Sequence, residues 1–192
     1  APEFGNHTRP SWGDYAQDSI PLFEQKTIEG HAVRATLFAT GATAAALENR
    51  SPEYIAAVSR LWDNMIGKRM FITGGVGAVH FDEKFGPDYF LPTDAYLETC
   101  AAVGAGFFSQ RMNELTGDAK YMDELERTLY NGLISGVSLD GGGFFYPNPL
   151  ESIGQHQRQP WFGCACCPSN ICRFIPSLPG YVYAVKDKDV YV

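Results

Sequence analysis

The sequence predicts an all-α fold with β-hairpin excursions, its helices stacked in layers or closed into a toroid. Three observations carry this. Segments of helical length recur with apolar residues at three- and four-residue intervals. The loops joining them are short, and after Gly136 the apolar period shifts towards two. No internal repeat and no low-complexity tract interrupts the pattern.

Taken in order, Gly30 to Asn49 reads as a helix rich in Ala and Leu. Ser51, Pro52 and Glu53 then supply an N-cap, a proline at the first position and an acid in the first turn. The helix they open presents Tyr54, Ile55, Val58, Leu61, Trp62 and Ile66 on its apolar face. It stops before the glycines of Thr73-Gly74-Gly75-Val76-Gly77. From His80 to Pro92 the chain is irregular, with Gly86, Pro87 and Pro92 as breakers. A third helix is expected from about Glu98 to Leu115, ended at Gly117. Asp118 caps a fourth that runs through Leu133 and ends at Gly136. Val137–Leu139 and Phe144–Tyr146 are expected to pair as a hairpin across the glycines around Gly142. Ser169 is expected to cap a last helix. Tyr181–Val185 and Val190–Val192, split by Lys186-Asp187-Lys188-Asp189, form a second expected hairpin.

A chain of 192 residues, 45% hydrophobic and 19% charged, is large and apolar enough for one domain with its own core. The net charge is −7 and the fifteen Lys and Arg residues are scattered, which excludes the basic stripe of a nucleic-acid binder. No apolar run is long enough to span a bilayer, so no membrane partner is expected. The opening Ala1-Pro2-Glu3-Phe4 resembles a cloning scar, and Val192 falls inside an apolar alternation. The chain is therefore expected to be a piece of a longer protein.

Five cysteines are present, four of them between Cys164 and Cys172. That spacing is too tight for a loop-stapling disulfide framework, and adjacent residues such as Cys166 and Cys167 rarely bridge each other. Free thiols point to a reducing, cytoplasmic setting and to a metal role. Thiolates joined by a carboxylate suit zinc. Cys164, Cys166 and Cys167 offer thiols on one loop; Glu98 and Cys100 offer a carboxylate and a thiol elsewhere. Residues two apart on a regular helix face nearly opposite ways. Glu98 and Cys100 can therefore share one metal only if they precede the first full helical turn, where the backbone is still extended.

The residues alone leave two readings for each candidate. Cys100 is a ligand or a small buried hydrophobe, and Glu98 a ligand or a helix-start acid. Glu83, on an irregular loop, is a catalytic carboxyl or a solvated one. Glu126 is a functional acid or half of an exposed ion pair with Arg127. His31 is a site residue or a capping or core residue of its helix, and Tyr146 a site residue or a strand aromatic packed on the core.

Several strings narrow the choice: Phe71-Ile72-Thr73-Gly74-Gly75-Val76-Gly77, Glu98-Thr99-Cys100-Ala101-Ala102, Glu126-Arg127-Thr128-Leu129-Tyr130-Asn131, Asn148-Pro149-Leu150-Glu151 after Phe144-Phe145-Tyr146, and Trp161-Phe162-Gly163-Cys164-Ala165-Cys166-Cys167-Pro168. Together they resemble glycoside hydrolase family 127, the β-L-arabinofuranosidases. The match runs over nearly the whole chain after about Ile20, and its cysteine string is highly specific.

The resemblance implies an (α/α)6 barrel, with residues 1–192 forming its later half and the family's β-sandwich domains absent. It implies a zinc ion held by Glu98, Cys100, Cys166 and Cys167, with Cys166 as nucleophile and Glu83 as general acid/base. His31, Glu126 and Tyr146 match positions that line the sugar pocket. The implied activity is retaining hydrolysis of a terminal L-arabinofuranoside through a cysteine adduct, with the missing barrel half or a second copy of the chain completing the toroid. The other reading is a zinc-stabilised structural or carbohydrate-binding module without catalysis. An acid that must hold a proton near neutrality needs a partly desolvated pocket, and Glu83 is expected to face one. The chain departs from the family at Asp82 and Lys84, where Gly and Ala are usual around the acid, and at Thr93, where Asn is common. The stretch from Pro92 to Glu98 is also one residue shorter.

Overall fold

The computed structural model describes residues 12–191; the expectations for Ala1–Phe4 and Val192 lie outside them. Five α-helices account for most of the regular structure: α1 (Ala32–Asn49), α2 (Pro52–Asn64), α3 (Thr99–Thr116), α4 (Lys120–Arg127) and α5 (Cys166–Phe174). A two-stranded antiparallel hairpin, β1 (Ala184–Lys186) and β2 (Asp189–Tyr191), pairs Val185 with Val190.

The third helix is the centre of the packing. Its residues are buried without a break from Thr99 to Gly106, so it presents an apolar surface to neighbours on more than one side. On one side α1 meets it with a stripe of small residues, among them Ala35, Thr36, Ala39, Ala42 and Thr43. The buried hydroxyls in this stripe are satisfied within their own helix, Thr36 donating to the Ala32 carbonyl and Thr43 to that of Ala39. The second helix contributes Val58, Leu61 and Trp62 to the same core, and Trp62 Nε1 donates to Ser109 Oγ on α3 at 3.1 Å. Tyr54, Ile55 and Ile66 sit at the half-buried margin of that face. On another side of α3, Ala102 and Val103 join Leu125, Leu133 and Phe174 in a second core.

Helix ends follow the sequence signals where a side chain or a glycine fixes them. Gly117 closes α3 in the left-handed region at φ 71°. Asp118 Oδ1 accepts from the N–H of Lys120 at the start of α4. Two helices run on differently from expectation. The second continues as a π turn, Met65–Arg69. The fourth breaks after Arg127 into a π turn, Thr128–Leu133, and a short 3₁₀ segment, Ile134–Gly136.

Two expectations are corrected. Ser169 does not cap the last helix: α5 begins three residues earlier at Cys166, and the Ser169 hydroxyl donates to the Cys166 carbonyl from inside it. The expected hairpin at Val137–Tyr146 is a single bridge between Val137 and Phe144, with Leu139 fully exposed. Phe144 also exchanges both backbone bonds with Gln159, and beyond it the chain lies against residues 96–99. This segment thus serves three partners in turn and forms no ladder with any one of them. No helix among the described residues is long and apolar enough to cross a membrane.

Helix α1 packs tightly on α3 at Gly104, where an added Cβ would lie 2.1 Å from Thr36 Oγ1 and 2.9 Å from Thr36 Cβ. Both sites are buried backbone-facing positions with little room to yield. Gly104→Ala is expected to lower stability by about 1–3 kcal/mol, read as a drop in the midpoint of chemical denaturation with an unchanged slope.

Candidate functional site

The N-terminus of α3 solves the two-residue spacing problem. Glu98 is the N-cap residue with an extended ψ of 132°, and Cys100 follows as the second residue of the helix. Glu98 makes no side-chain cap. The first helical N–H is taken by a neighbouring segment: Thr99 N donates to the Tyr146 carbonyl and Thr99 Oγ1 to that of Phe145, each at 2.9 Å. The Glu98 carboxylate, which caps nothing, faces the sulfurs. The same lacing sets Tyr146 beside them, since Asn148 N donates to the carbonyls of Tyr96 and Leu97.

Cys166 and Cys167 open α5 and converge on this point. Glu98 Oε1 lies 3.4 Å from Cys166 Sγ and 3.6 Å from Cys167 Sγ. Cys100 Sγ lies 3.2 Å from Cys167 Sγ, and Cys166 Sγ 3.9 Å from it. All four ligating atoms fall within 4.8 Å of one another, a group able to hold a metal ion. Cys100, Cys167 and Glu98 are buried, whereas Cys166 is half-buried and meets Tyr146 Oη at 2.9 Å. Cys164 is exposed, 3.9 Å from the same hydroxyl, and lies outside the group. Asn170, one helical turn beyond the cysteine pair, donates from Nδ2 to Cys100 Sγ at 3.1 Å.

Without a cation this is a crowd of acids. Burial, followed by the charges of Glu83 and Cys166, pushes the Glu98 carboxyl up to about 9. Hydrogen bonds from the Cys100 and Cys167 thiols hold the Cys166 thiol far below its ordinary value. Cys100 is raised chiefly by its bond to Cys166, and Cys167 by its bonds to Cys100 and then Cys166. One sulfur thus carries the charge and its neighbours keep their protons. Glu98 Oε2 is buried with no hydrogen-bond partner among the described residues. Three thiols gathered with one carboxylate oxygen, Oε1, make a sulfur–oxygen donor set that fits zinc.

Glu83 reaches the same centre from a different segment. Lys84 bridges to His31 and Val79, and Phe85 N donates to the Gly30 carbonyl, which ties the acid loop to the start of α1. Asp82 and Glu83 both occupy the left-handed region, at φ 56° and 52°. Asp is one of the few side chains that tolerates that conformation, so the departure from glycine at 82 preserves the loop. Lys84 Nζ pairs with Asp82 at 3.1 Å. The Glu83 side chain is half-buried. His31 Nε2 lies 2.9 Å from its Oε2, and Tyr96 Oη donates to its Oε1 at 2.8 Å. His31 caps α1 by accepting from Arg34 N at Nδ1, so Nε2 is the protonated nitrogen of the neutral ring. Burial outweighs the Glu83 charge and lowers the His31 pKa. Burial and the bond to Glu83 raise that of Tyr96, which keeps it a neutral donor. Burial, then the bond to Cys166, does the same at Tyr146.

His31, Glu83, Glu98, Cys100, Tyr146, Cys166 and Cys167 therefore lie together. Glu126 does not join them: it is exposed on α4 with no hydrogen bond or ion pair to the described residues, and Arg127 pairs with Glu124. Tyr96 and Asn170 belong to the site without having been singled out. The position of Asn170 one turn after Cys166 and Cys167 is the signal that could have found it. Tyr96, in an irregular stretch, offers none beyond its nearness to Glu98.

A family model for the β-L-arabinofuranosidase GH127 catalytic domain matches residues 1–180. The chain belongs to this family. It is 40% identical over 185 residues to the non-reducing end β-L-arabinofuranosidase of Bifidobacterium longum subsp. longum, which covers 90% of the chain and 28% of that relative. A solved GH127 β-arabinofuranosidase is similar at 56% identity and a TM-score of 0.92, over 95% of the chain and 29% of its own. A GH127 β-L-arabinofuranosidase from Geobacillus stearothermophilus T6 is similar at 42% identity and a TM-score of 0.90, over 96% and 32%. The chain spans less than a third of the length of each of these GH127 relatives.

The Glu98 carboxyl gives a pH signature to the metal-free protein. Its folded pKa, about 9, lies above the ordinary 4.5, so the folded state holds a proton that the unfolded state releases. The Glu98 contribution to stability is therefore full below about 4.5 and declines as pH rises towards about 9. The lowered Cys166 thiol contributes in the opposite sense, because the unfolded chain holds the proton that folded Cys166 has lost. Glu98→Gln is expected to remove the declining component, so that stability rises more steeply with pH than in the unmodified protein, measured by denaturant melts of chelator-treated protein at stepped pH.

Proposed function

We propose that this chain carries the catalytic centre of a zinc-dependent, retaining glycoside hydrolase that cleaves terminal L-arabinofuranosides. The observation that carries the reading is the convergence of Glu98, Cys100, Cys166 and Cys167 on one point with Glu83 beside it, in a chain of the GH127 family. A purely structural zinc site would bury all its ligands; here Cys166 is half-buried and stands against the Tyr146 hydroxyl.

Glu98, Cys100, Cys166 and Cys167 would hold the zinc. When bound, the ion keeps Cys166 as a thiolate and stabilises it as a leaving group. Cys166 Sγ attacks the anomeric carbon while Glu83 gives its proton to the departing glycosidic oxygen; the C–S bond forms as the C–O bond breaks. Glu83, now a carboxylate, takes a proton from water, whose oxygen attacks the same carbon and expels the Cys166 thiolate. Two inversions leave the configuration retained. His31 and Tyr96 place one donor on each oxygen of Glu83 and fix the carboxyl's plane. Tyr146 Oη steadies the sulfur in its ionised form. His31, Tyr146 and Glu126 are assigned to the sugar pocket, the first two from beside Glu83 and Cys166 and Glu126 from α4. The helices seen here would be the later part of an (α/α)6 barrel.

Elemental analysis is expected to give about one zinc per chain, falling sharply in Cys100→Ser and Cys166→Ser. With a substrate bearing a poor leaving group, Glu83→Gln is expected to lose about 10²–10⁴ in kcat, and far less with an activated aglycone. Full turnover by Cys166→Ser with zinc still bound would sink the catalytic role of that sulfur and leave a zinc-stabilised module.

A further inference from the structure

We propose that His31, Glu83 and Glu98 form a second, weaker divalent-cation site that shares Glu98 with the sulfur cluster and silences Glu83 when filled. The inference rests on the reading of Glu83 as acid/base and names a way in which that centre is regulated. One ligating atom from each of the three residues lies within 4.8 Å of the other two. Independently, Glu98 is 3% exposed and uses only Oε1 towards the sulfurs, while its Oε2 is buried without a partner among the described residues. A carboxylate with one committed and one orphaned oxygen is the usual bridge of a two-metal centre, whose ions stand about 3.5–4 Å apart.

The remaining ligands are already in place. His31 Nε2 and Glu83 Oε2 face each other at 2.9 Å, so a cation entering there replaces one hydrogen bond. Tyr96 Oη holds the other oxygen of Glu83 and orients the carboxylate for coordination through Oε2. One imidazole and two carboxylates, with no sulfur, form a nitrogen–oxygen set that suits zinc or cobalt. The cost is local. For Nε2 to coordinate, the ring proton must move to Nδ1, and the Arg34 N–H loses its acceptor at 3.4 Å. No net proton is released by His31, but a helix cap is given up, which places this site below the sulfur cluster in affinity. Glu83 bound to a cation can neither give a proton to a leaving group nor take one from water. Excess metal therefore inhibits by competing with substrate.

The test is a cobalt titration of metal-free protein, with bound metal counted by equilibrium dialysis. The first equivalent is expected to bring a thiolate-to-cobalt charge-transfer band. A second, weaker equivalent adds only ligand-field absorption. Glu83→Gln and His31→Ala are each expected to weaken the second equivalent on the order of tenfold or more while leaving the charge-transfer band, which also reports that the fold is intact. In the zinc-loaded protein, excess zinc is expected to raise the apparent KM with kcat unchanged. A titration that ends at one equivalent overturns the second site, as does a second equivalent that both variants retain. Loss of the charge-transfer band in unmodified protein overturns the sulfur cluster instead, and the second ion is still counted by dialysis.

Discussion

At the head of α3 a carboxylate and three thiols are pressed together where little water reaches, and no arrangement of protons makes all four comfortable. One sulfur takes the negative charge and the others are held protonated by it, while one oxygen of Glu98 finds no partner at all. A buried polar group left in that condition costs roughly 1–3 kcal/mol, which a cation held among these groups would offset. Much of the local architecture serves to keep these groups crowded. The extended backbone at Glu98 leaves its carboxylate free of any capping bond, and the segment around Tyr146 is tied to the helix start through the Thr99 N–H and hydroxyl.

The cores stiffen what the site needs. The third helix is buried on several sides and locked to α1 through small residues and to α2 through the Trp62–Ser109 bond, so Cys100 has little freedom. Phe174 and Ile171 anchor α5, whose first two residues are the cysteine pair. The acid loop depends less on packing and more on backbone lacing, with Val79, Lys84 and Phe85 tied to each other and to the start of α1. Rigid sulfurs and a separately tethered acid suit a reaction in which one group holds position while the other moves a proton.

Helices α1 to α4 were legible in the sequence because apolar period, Ser51-Pro52 and Gly117 act locally. Their π-turn extensions were not, since a widened turn such as Met65–Arg69 leaves no periodic trace. The start of α5 was misplaced because Ala165 provides no side-chain cap, whereas Ser169 looks like one. The hairpin expected at Val137 failed for a non-local reason, as Phe144 finds Gln159 and the segment after it finds residues 96–99. Within the site, the two-residue spacing meant that Glu98 and Cys100 could share a metal only from the very start of a helix, and they stand there, at its N-cap and second residue. Tyr96 and Asn170 act only through distant partners, so single-chain patterning held nothing that named Tyr96.

The paired left-handed residues at 82 and 83 bear on how such a chain can evolve. At position 82 the backbone admits glycine, asparagine or aspartate readily and penalises branched side chains, so drift there is confined to a narrow alphabet. At position 83 the easy remedy, glycine, is closed, because it would delete the carboxylate. Strain at that residue is therefore heritable: lineages that keep the acid inherit the contorted loop with it, and relief has to come from neighbours such as His31 and Lys84.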